Sequence, residues 1–155
     1  MVKKRAISLV MLALLIASLC CNAFAATADT VEVNANSGAV VNSSSYLSTY
    51  SVSLSAASNH RMAIGVSVDG AGYMDKIGVS VIDIDQKING VWSDYENLYA
   101  MDNSNYYQYN TLNYVATQYF AGTQGVQYRV TLTVYAGKNG GGDTRTITSY
   151  TATCN

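Results

Sequence analysis

Gln127-Tyr128-Arg129-Val130-Thr131-Leu132-Thr133-Val134-Tyr135-Ala136 places Tyr128, Val130, Leu132, Val134 and Ala136 in one phase and Gln127, Arg129, Thr131, Thr133 and Tyr135 in the other. Successive side chains of a strand point to opposite faces, so this segment reads as a half-buried β-strand with one apolar and one polar face. It is the strongest periodic signal in the chain. Downstream, residues 137–142 carry four glycines around Lys138-Asn139 and read as a flexible connection to a last strand over residues 144–153.

Upstream the period remains two. Tyr50, Val52, Leu54 and Ala56 alternate with Ser51, Ser53 and Ser55, and Asn59-His60 then turns the chain. Met62, Ile64, Val66 and Val68 form a second strand, which Gly70-Ala71-Gly72 is expected to end. A third spans residues 76–87, with Ile77, Val79 and Val81 in one phase and Ile82 and Ile84 in the other. That phase change predicts a bulge or a strand covered on both faces. Asn89-Gly90 is a preferred tight-hairpin dipeptide, so residues 91–99 should return antiparallel with Trp92 near the start. Residues 101–105 read as a polar loop, and residues 106–119 as one or two short strands. About seven strands, short turns and no helical periodicity predict an all-β antiparallel β-sandwich.

Two segments precede it. Lys3, Lys4 and Arg5 stand before an apolar run over residues 6–21, and Ala23-Phe24-Ala25 supplies a small-x-small cleavage site, so residues 1–25 read as a signal peptide. Residues 26–45, rich in Ala, Asn and Ser, read as a mostly mobile lead-in able to contribute one edge strand. The domain then runs from 46 to 155. No later stretch is apolar long enough to span a bilayer, so the expected product is secreted, without a transmembrane anchor.

The chain has 155 residues, 49% hydrophobic and 12% charged, with no proline and one histidine. Removing Lys3, Lys4 and Arg5 leaves six basic residues against ten acidic ones, a net charge of about −4. Nucleic acid is thereby excluded as a partner, since the phosphate backbone calls for clustered basic residues. Removing Cys20 and Cys21 leaves Cys154 alone, so no intramolecular disulfide is expected. Chain ends fray, and an odd cysteine in an exported protein is expected to be solvent-accessible and able to link two copies as a disulfide-bonded homodimer. The competing reading is a small apolar side chain closing the last strand.

The order of strands resembles immunoglobulin-like and fibronectin type III-like sandwiches. Gly125-Val126-Gln127-Tyr128-Arg129-Val130 looks like their tyrosine corner, in which Tyr128 would hydrogen-bond the backbone just upstream. The hairpin over residues 82–92 is similar to their third and fourth strands. The departures are a corner loop without proline, Gly122 where an apolar residue is common, and no cysteine pair between the sheets. A second resemblance is to small secreted proteins of Gram-positive, clostridia-like bacteria carrying a domain of unknown function. It rests on Gly-Ala-Gly-Tyr-Met-Asp-Lys-Ile-Gly at 70–78, residues 46–54, and residues 130–145 ending Gly-Gly-Gly-Asp-Thr-Arg. This resemblance implies secretion and a sandwich domain, and supplies no reaction.

Chemistry is sparse. His60 has Ser58 two residues away, yet no Gly-x-Ser-x-Gly elbow is present, and a lone turn histidine is normally just solvated. Asp83 and Asp85 share a strand face, where carboxylates make a solvated edge more often than a glycosidase pair. Asp69, Asp75 and Asp143 read as turn formers, and the 69–75 segment lacks the ligand pattern of a helix-loop-helix calcium site. No enzyme, metal or cofactor is therefore expected. The functional clue is aromatic: 13 Tyr, one Trp and two Phe, with Tyr106, Tyr107, Tyr109, Tyr114 and Tyr119 crowded together. On a regular strand adjacent Tyr106 and Tyr107 cannot both face the core, so at least one ring is expected at the surface. Tyr106, Tyr107, Tyr109 and Trp92, together with the loop over residues 137–142, are the candidate contact residues of a non-enzymatic module that binds an extracellular protein or glycan. The alternative is a bacteriocin-like or toxin-like effector, against which the low positive charge weighs.

Overall fold

A computed structural model describes residues 30–31, 38–41, 44–99 and 103–155. The expected signal peptide, most of the lead-in and the start of the 101–105 loop lie outside the described residues. The strands are Thr30–Val31 (β1), Gly38–Val41 (β2), Leu47–Ala57 (β3), Arg61–Ile88 (β4), Val91–Tyr99 (β5), Tyr107–Ala121 (β6), Gln127–Lys138 (β7), Gly141–Thr148 (β8) and Ala152–Thr153 (β9). A single 3-10 turn, Ser104–Tyr106, interrupts them, and no α-helix occurs among the described residues. The protein is all-β, as the period-two patterning requires.

Three tight turns set the hairpins. Ser58-Asn59-His60 is a three-residue turn with Asn59 and His60 at φ 60° and 55°, and Asn89-Gly90 and Asn139-Gly140 are two-residue turns with φ between 51° and 84°, the positive values that such a turn of matching twist demands. The last of these corrects the expected flexible connection. β7 runs to Lys138 and β8 resumes at Gly141, while the Asn139 N–H donates to Asp75 Oδ2 at 2.7 Å and fixes the turn.

β4 organises everything else. The expected break at Gly70-Ala71-Gly72 does not occur, and the second and third expected strands are one strand of 28 residues. Laid straight it would be roughly 90 Å long, several times the ~13 Å radius of gyration of a 100-residue domain, so it has to bend. It does so at two irregularities. Opposite β6, the register jumps from Asp69 to Met74, so the glycines there permit a bend rather than a stop. Opposite β7 it slips between Val79 and Val81. The expected bulge is thus at Ser80, one residue earlier than the sequence phase suggests, and Val81 points outward with Asp83 and Asp85. The core phase follows: Met62, Ile64, Val66 and Val68, then Ile77 and Val79, then Ile82 and Ile84.

Residues 61–69 of β4 lie between β3 and β6, and residues 81–87 lie between β7 and β5. The sheet order is β1-β8-β7-β4-β3-β2, with β5 and β6 end to end along one edge of β4 and β9 on β7. All pairings are antiparallel except the two-residue β1–β8 contact. β3 and β7 share the other edge of β4, and the two lead-in strands extend these arms, β2 beside β3 and β1 beside β8. Seven strands from residue 44 onward agree with the expected number through different boundaries: two expected strands fuse into β4, and the last divides into β8 and β9. The sheet curls into a half-barrel. Its concave side holds one core, in which Tyr50, Ile64, Ile77, Ile84, Tyr128, Leu132 and Ile147 are each at most 1% exposed.

Candidate functional site

Tyr106 and Tyr107 separate as adjacent residues must, but through a turn rather than a regular strand. Asn103 Oδ1 accepts the Asn105 N–H at 3.0 Å and caps the 3-10 turn. The Tyr114 hydroxyl donates to the Asn105 carbonyl at 3.1 Å and ties that turn to β6. Tyr106 is thereby buried at 5% exposure, which corrects its candidacy as a contact residue. Gly78 makes this seating available: at φ 152° it lies directly against the Tyr106 carbonyl and the Tyr107 Cα, where a Cβ would not fit. Burial, followed by the nearby Glu96 charge, pushes the Tyr106 phenol above its ordinary pKa.

Tyr107 and Tyr109 face outward with Tyr99, from the end of β5, around a concavity of about 450 Å³. Lys76, Ser80, Val81 and Ser104 complete its lining. Tyr109 is 60% exposed and Tyr99 42%, whereas Tyr107 is half-buried. Lys76 Nζ lies 3.8 Å from the Tyr107 ring centroid and 5.8 Å from that of Tyr135, and those two rings meet edge to face at 6.2 Å. The ammonium is held by aromatic faces, a geometry worth about 0.5–1 kcal/mol at an exposed site. Burial raises the Tyr107 phenol pKa, with the Ser80 hydroxyl opposing the shift. Every lining residue except Ser104 belongs to β4, β5 or β6, so strands rather than a loop hold the cleft in shape.

Tyr99, Lys76, Ser80 and Ser104 escaped the sequence reading. The phase change near residue 80 was their one visible signal, since the bulge there turns Ser80 toward the Tyr107 side. Trp92 is not part of the cleft. It pairs with Lys87, six residues along β4 from the Val81–Tyr99 pair, or about 20 Å away at strand rise. Its ring is half-covered, with Arg129 at 4.6 Å and Lys87 at 5.6 Å from the indole. Arg129 Nε also donates to Asp85 Oδ2 at 2.8 Å.

The remaining candidates are structural in their surroundings. Asp83 and Asp85 do share a face, but β4 is flanked there by β5 and β7, so the expected solvated edge is a central strand. Desolvation, then the charges of Asp94 and Asp85, raises the Asp83 pKa. His60 is exposed in its turn, and its Nδ1 lies 3.0 Å from the Asn155 carbonyl oxygen. Asp69 accepts the Thr49 hydroxyl at 2.6 Å, and Asp143 pairs with Arg145 at 2.5 Å. Among the described residues no group of three or more His, Cys, Asp or Glu side chains is arranged to hold a metal ion, and no helix is long and apolar enough to cross a membrane.

Tyr128 is fully buried, and its hydroxyl accepts the Thr123 N–H at 2.9 Å, five residues upstream. Gly125, at φ 80°, turns the chain between them. The Gly125 N–H donates to the Cys154 carbonyl and the Cys154 N–H to the Val126 carbonyl, which fastens the end of the chain to this corner. Cys154 is 1% exposed, contrary to the expected frayed and accessible terminus. Gly122 explains why: a Cβ built there would lie 2.8 Å from the Cys154 sulfur, so the missing side chain leaves the space the thiol occupies. Burial removes the accessibility on which a Cys154-linked homodimer depends.

Comparisons with protein-family models, with curated proteins and with solved structures return no match. The geometry of the cleft alone therefore bears on function.

Proposed function

We propose that the chain is exported after loss of residues 1–25 and acts as a non-enzymatic binding module, holding an extracellular glycan or protein segment in the tyrosine-lined cleft. The carrying observation is the convergence of Tyr99, Tyr107 and Tyr109 with Lys76 and Ser80 on one concavity of about 450 Å³. Ligand pockets are concave and commonly of about 300–1,000 Å³, with an apolar lining and a few polar groups that orient the ligand. Tyrosine rings offer flat apolar area and a hydrogen-bonding tip, suited to the face of a sugar or to a side chain of a partner. We also read the curled sheet as a variant of the immunoglobulin-like sandwich. The Tyr128 corner supports that reading, as does the edge-to-face packing of Phe120 on β6 against Tyr128 on β7 at 5.3 Å.

The test is an array of glycans and cell-wall polymers probed with the purified protein and three variants. Tyr109→Ala should lower binding on the order of tenfold with the thermal midpoint unchanged, because a largely exposed ring gives contact area and little stability. Tyr107→Ala should lower it as well, whereas His60→Ala should bind as the parent does. Full binding by Tyr109→Ala would exclude the cleft, and loss of function in a folded His60→Ala protein would reopen the enzyme reading.

A further inference from the structure

β6 has β4 along one edge and, among the described residues, no strand along the other. Its sequence, Tyr-Gln-Tyr-Asn-Thr-Leu-Asn-Tyr-Val-Ala-Thr-Gln-Tyr-Phe-Ala, contains no charged residue, no proline and no glycine over 15 positions. Such an edge presents a row of free backbone donors and acceptors, and soluble proteins ordinarily blunt one with charge, proline, a bulge or a cover. β5, the other strand on that side of β4, follows the rule: it carries Asp94 and Glu96 and a register slip against Ile84–Asp85. β6 does not. Tyr109, Leu112, Val115 and Tyr119 are 47–63% exposed along it.

We propose that the free edge of β6 pairs antiparallel with β6 of a second copy of this chain, on a two-fold axis at Thr117. Residues 113–121 form the longest stretch of β6 paired to β4 without a register slip. With the Ala121 carbonyl taken by Tyr95, the free pairing set is residues 115–119, centred on Thr117. An antiparallel two-fold there sets Thr117 opposite the partner's Thr117, and Val115 opposite the partner's Tyr119 on both sides of the axis. All of these side chains lie on the exposed face. On the other face Tyr114 meets the partner's Phe120, both from buried positions, so the pairing extends each core-facing surface without inverting it. Aromatic with β-branched and Thr with Thr are favoured cross-strand pairs, and no like charges oppose one another. The nearest cation, Arg61, lies over the Tyr119 ring at 4.2 Å. The two Tyr119 positions are four residues apart in register, about 14 Å at strand rise and beyond the ~8 Å screening length at physiological salt. A second copy thus matches this edge in side-chain chemistry and register, with no like charges brought together. One strand pair covers a small area, so the association is weak and concentration-dependent.

Thr117→Cys turns the axis into a reporter, because directly opposed residues of an antiparallel pair have Cα atoms about 4.5–5.5 Å apart, within disulfide reach. Under mild oxidation the purified Thr117→Cys protein should form a covalent dimer at a rate that rises with concentration. Ser53→Cys, exposed on the same outer face away from β6, should link at least tenfold more slowly. Adding Val115→Lys to Thr117→Cys should reduce linking to the Ser53→Cys level with the circular dichroism spectrum intact, and Tyr119→Lys should do the same. Equal rates at positions 117 and 53, or linking undiminished by both lysines, would overturn the pairing. So would resistance of the introduced thiol at position 117 to alkylation in the folded protein, which would show the edge covered within its own chain.

Discussion

Two buried tyrosines of nearly equal exposure should respond oppositely to the loss of one oxygen atom. Tyr128 is 0% and Tyr50 1% exposed. The Tyr128 hydroxyl accepts the Thr123 N–H at 2.9 Å, while the Tyr50 hydroxyl has no hydrogen-bond partner among the described residues. Replacing either by Phe leaves the ring and its packing in place, including the edge-to-face contacts of Tyr128 with Tyr95 and Phe120, both at 5.3 Å. In Tyr128→Phe the lost quantity is one buried hydrogen bond, about 1 kcal/mol. Thr123 is exposed, so water can satisfy part of the freed N–H, and the cost should stay near that figure. For a domain of this size 1 kcal/mol corresponds to a fall in Tm of roughly 4 °C. Tyr50→Phe removes a hydroxyl already dehydrated without compensation, so its stability should be unchanged or higher. Urea denaturation of both variants gives the comparison, and amide exchange at Thr123 gives a local check: it should accelerate in Tyr128→Phe only. A Tyr128→Phe midpoint equal to that of the parent, or a Tyr50→Phe loss as large as that of Tyr128→Phe, would refute the hydrogen-bond assignment.

Cys154 should resist alkylation until denaturant opens the fold, and air-oxidised protein should show no Cys154-dependent dimer on a non-reducing gel. Gly78→Ala should destabilise by about 3 kcal/mol or more, since both its positive φ and the contact with the Tyr106 carbonyl exclude a Cβ; a midpoint near the parent's would mean the chain yields there. Asp83 has a raised pKa in the fold, so its protonated form is favoured and stability is lost as pH rises through that folded pKa. Asp83→Asn should accordingly raise the urea midpoint at pH 7, and the gain should vanish below the ordinary aspartate range, near pH 3.

Alternation along a strand was legible because it is local: β7 and the halves of β4 follow from residues two apart. Continuity was not. Gly70-Ala71-Gly72 has the composition of a turn, and only the pairing partners decide that the chain stays extended there: the Ala71 N–H donates to the Tyr46 carbonyl while β6 skips the insertion. The cleft was half legible. Crowded tyrosines pointed to Tyr107 and Tyr109, but Lys76, Ser80 and Tyr99 arrive from other strands through a bulge. Tyr106 went the other way because it takes the inward phase it shares with Tyr114 and Phe120, and nothing in residues 106–119 marked which phase is inward. For Cys154 the missing information was pairwise. Gly122 was visible as an anomaly, and the thiol that fills its space is 32 positions later.

The unbroken course of β4 also governs how the molecule can come apart. Its first half is shared by β3 and β6 and its second by β5 and β7, so neither half of the sheet possesses a central strand of its own. Opening either half frays the same backbone that the other half needs, which couples the two into one cooperative unit. Such a unit should melt in a single transition, and the slowest-exchanging amides from Met62 to Ile84 should share one opening free energy. Assembly is constrained in the same way: β6 must close on residues 61–78 and β7 on residues 76–87 of a strand already emerging in sequence, and these long-range closures place the domain among the slower folders of its size.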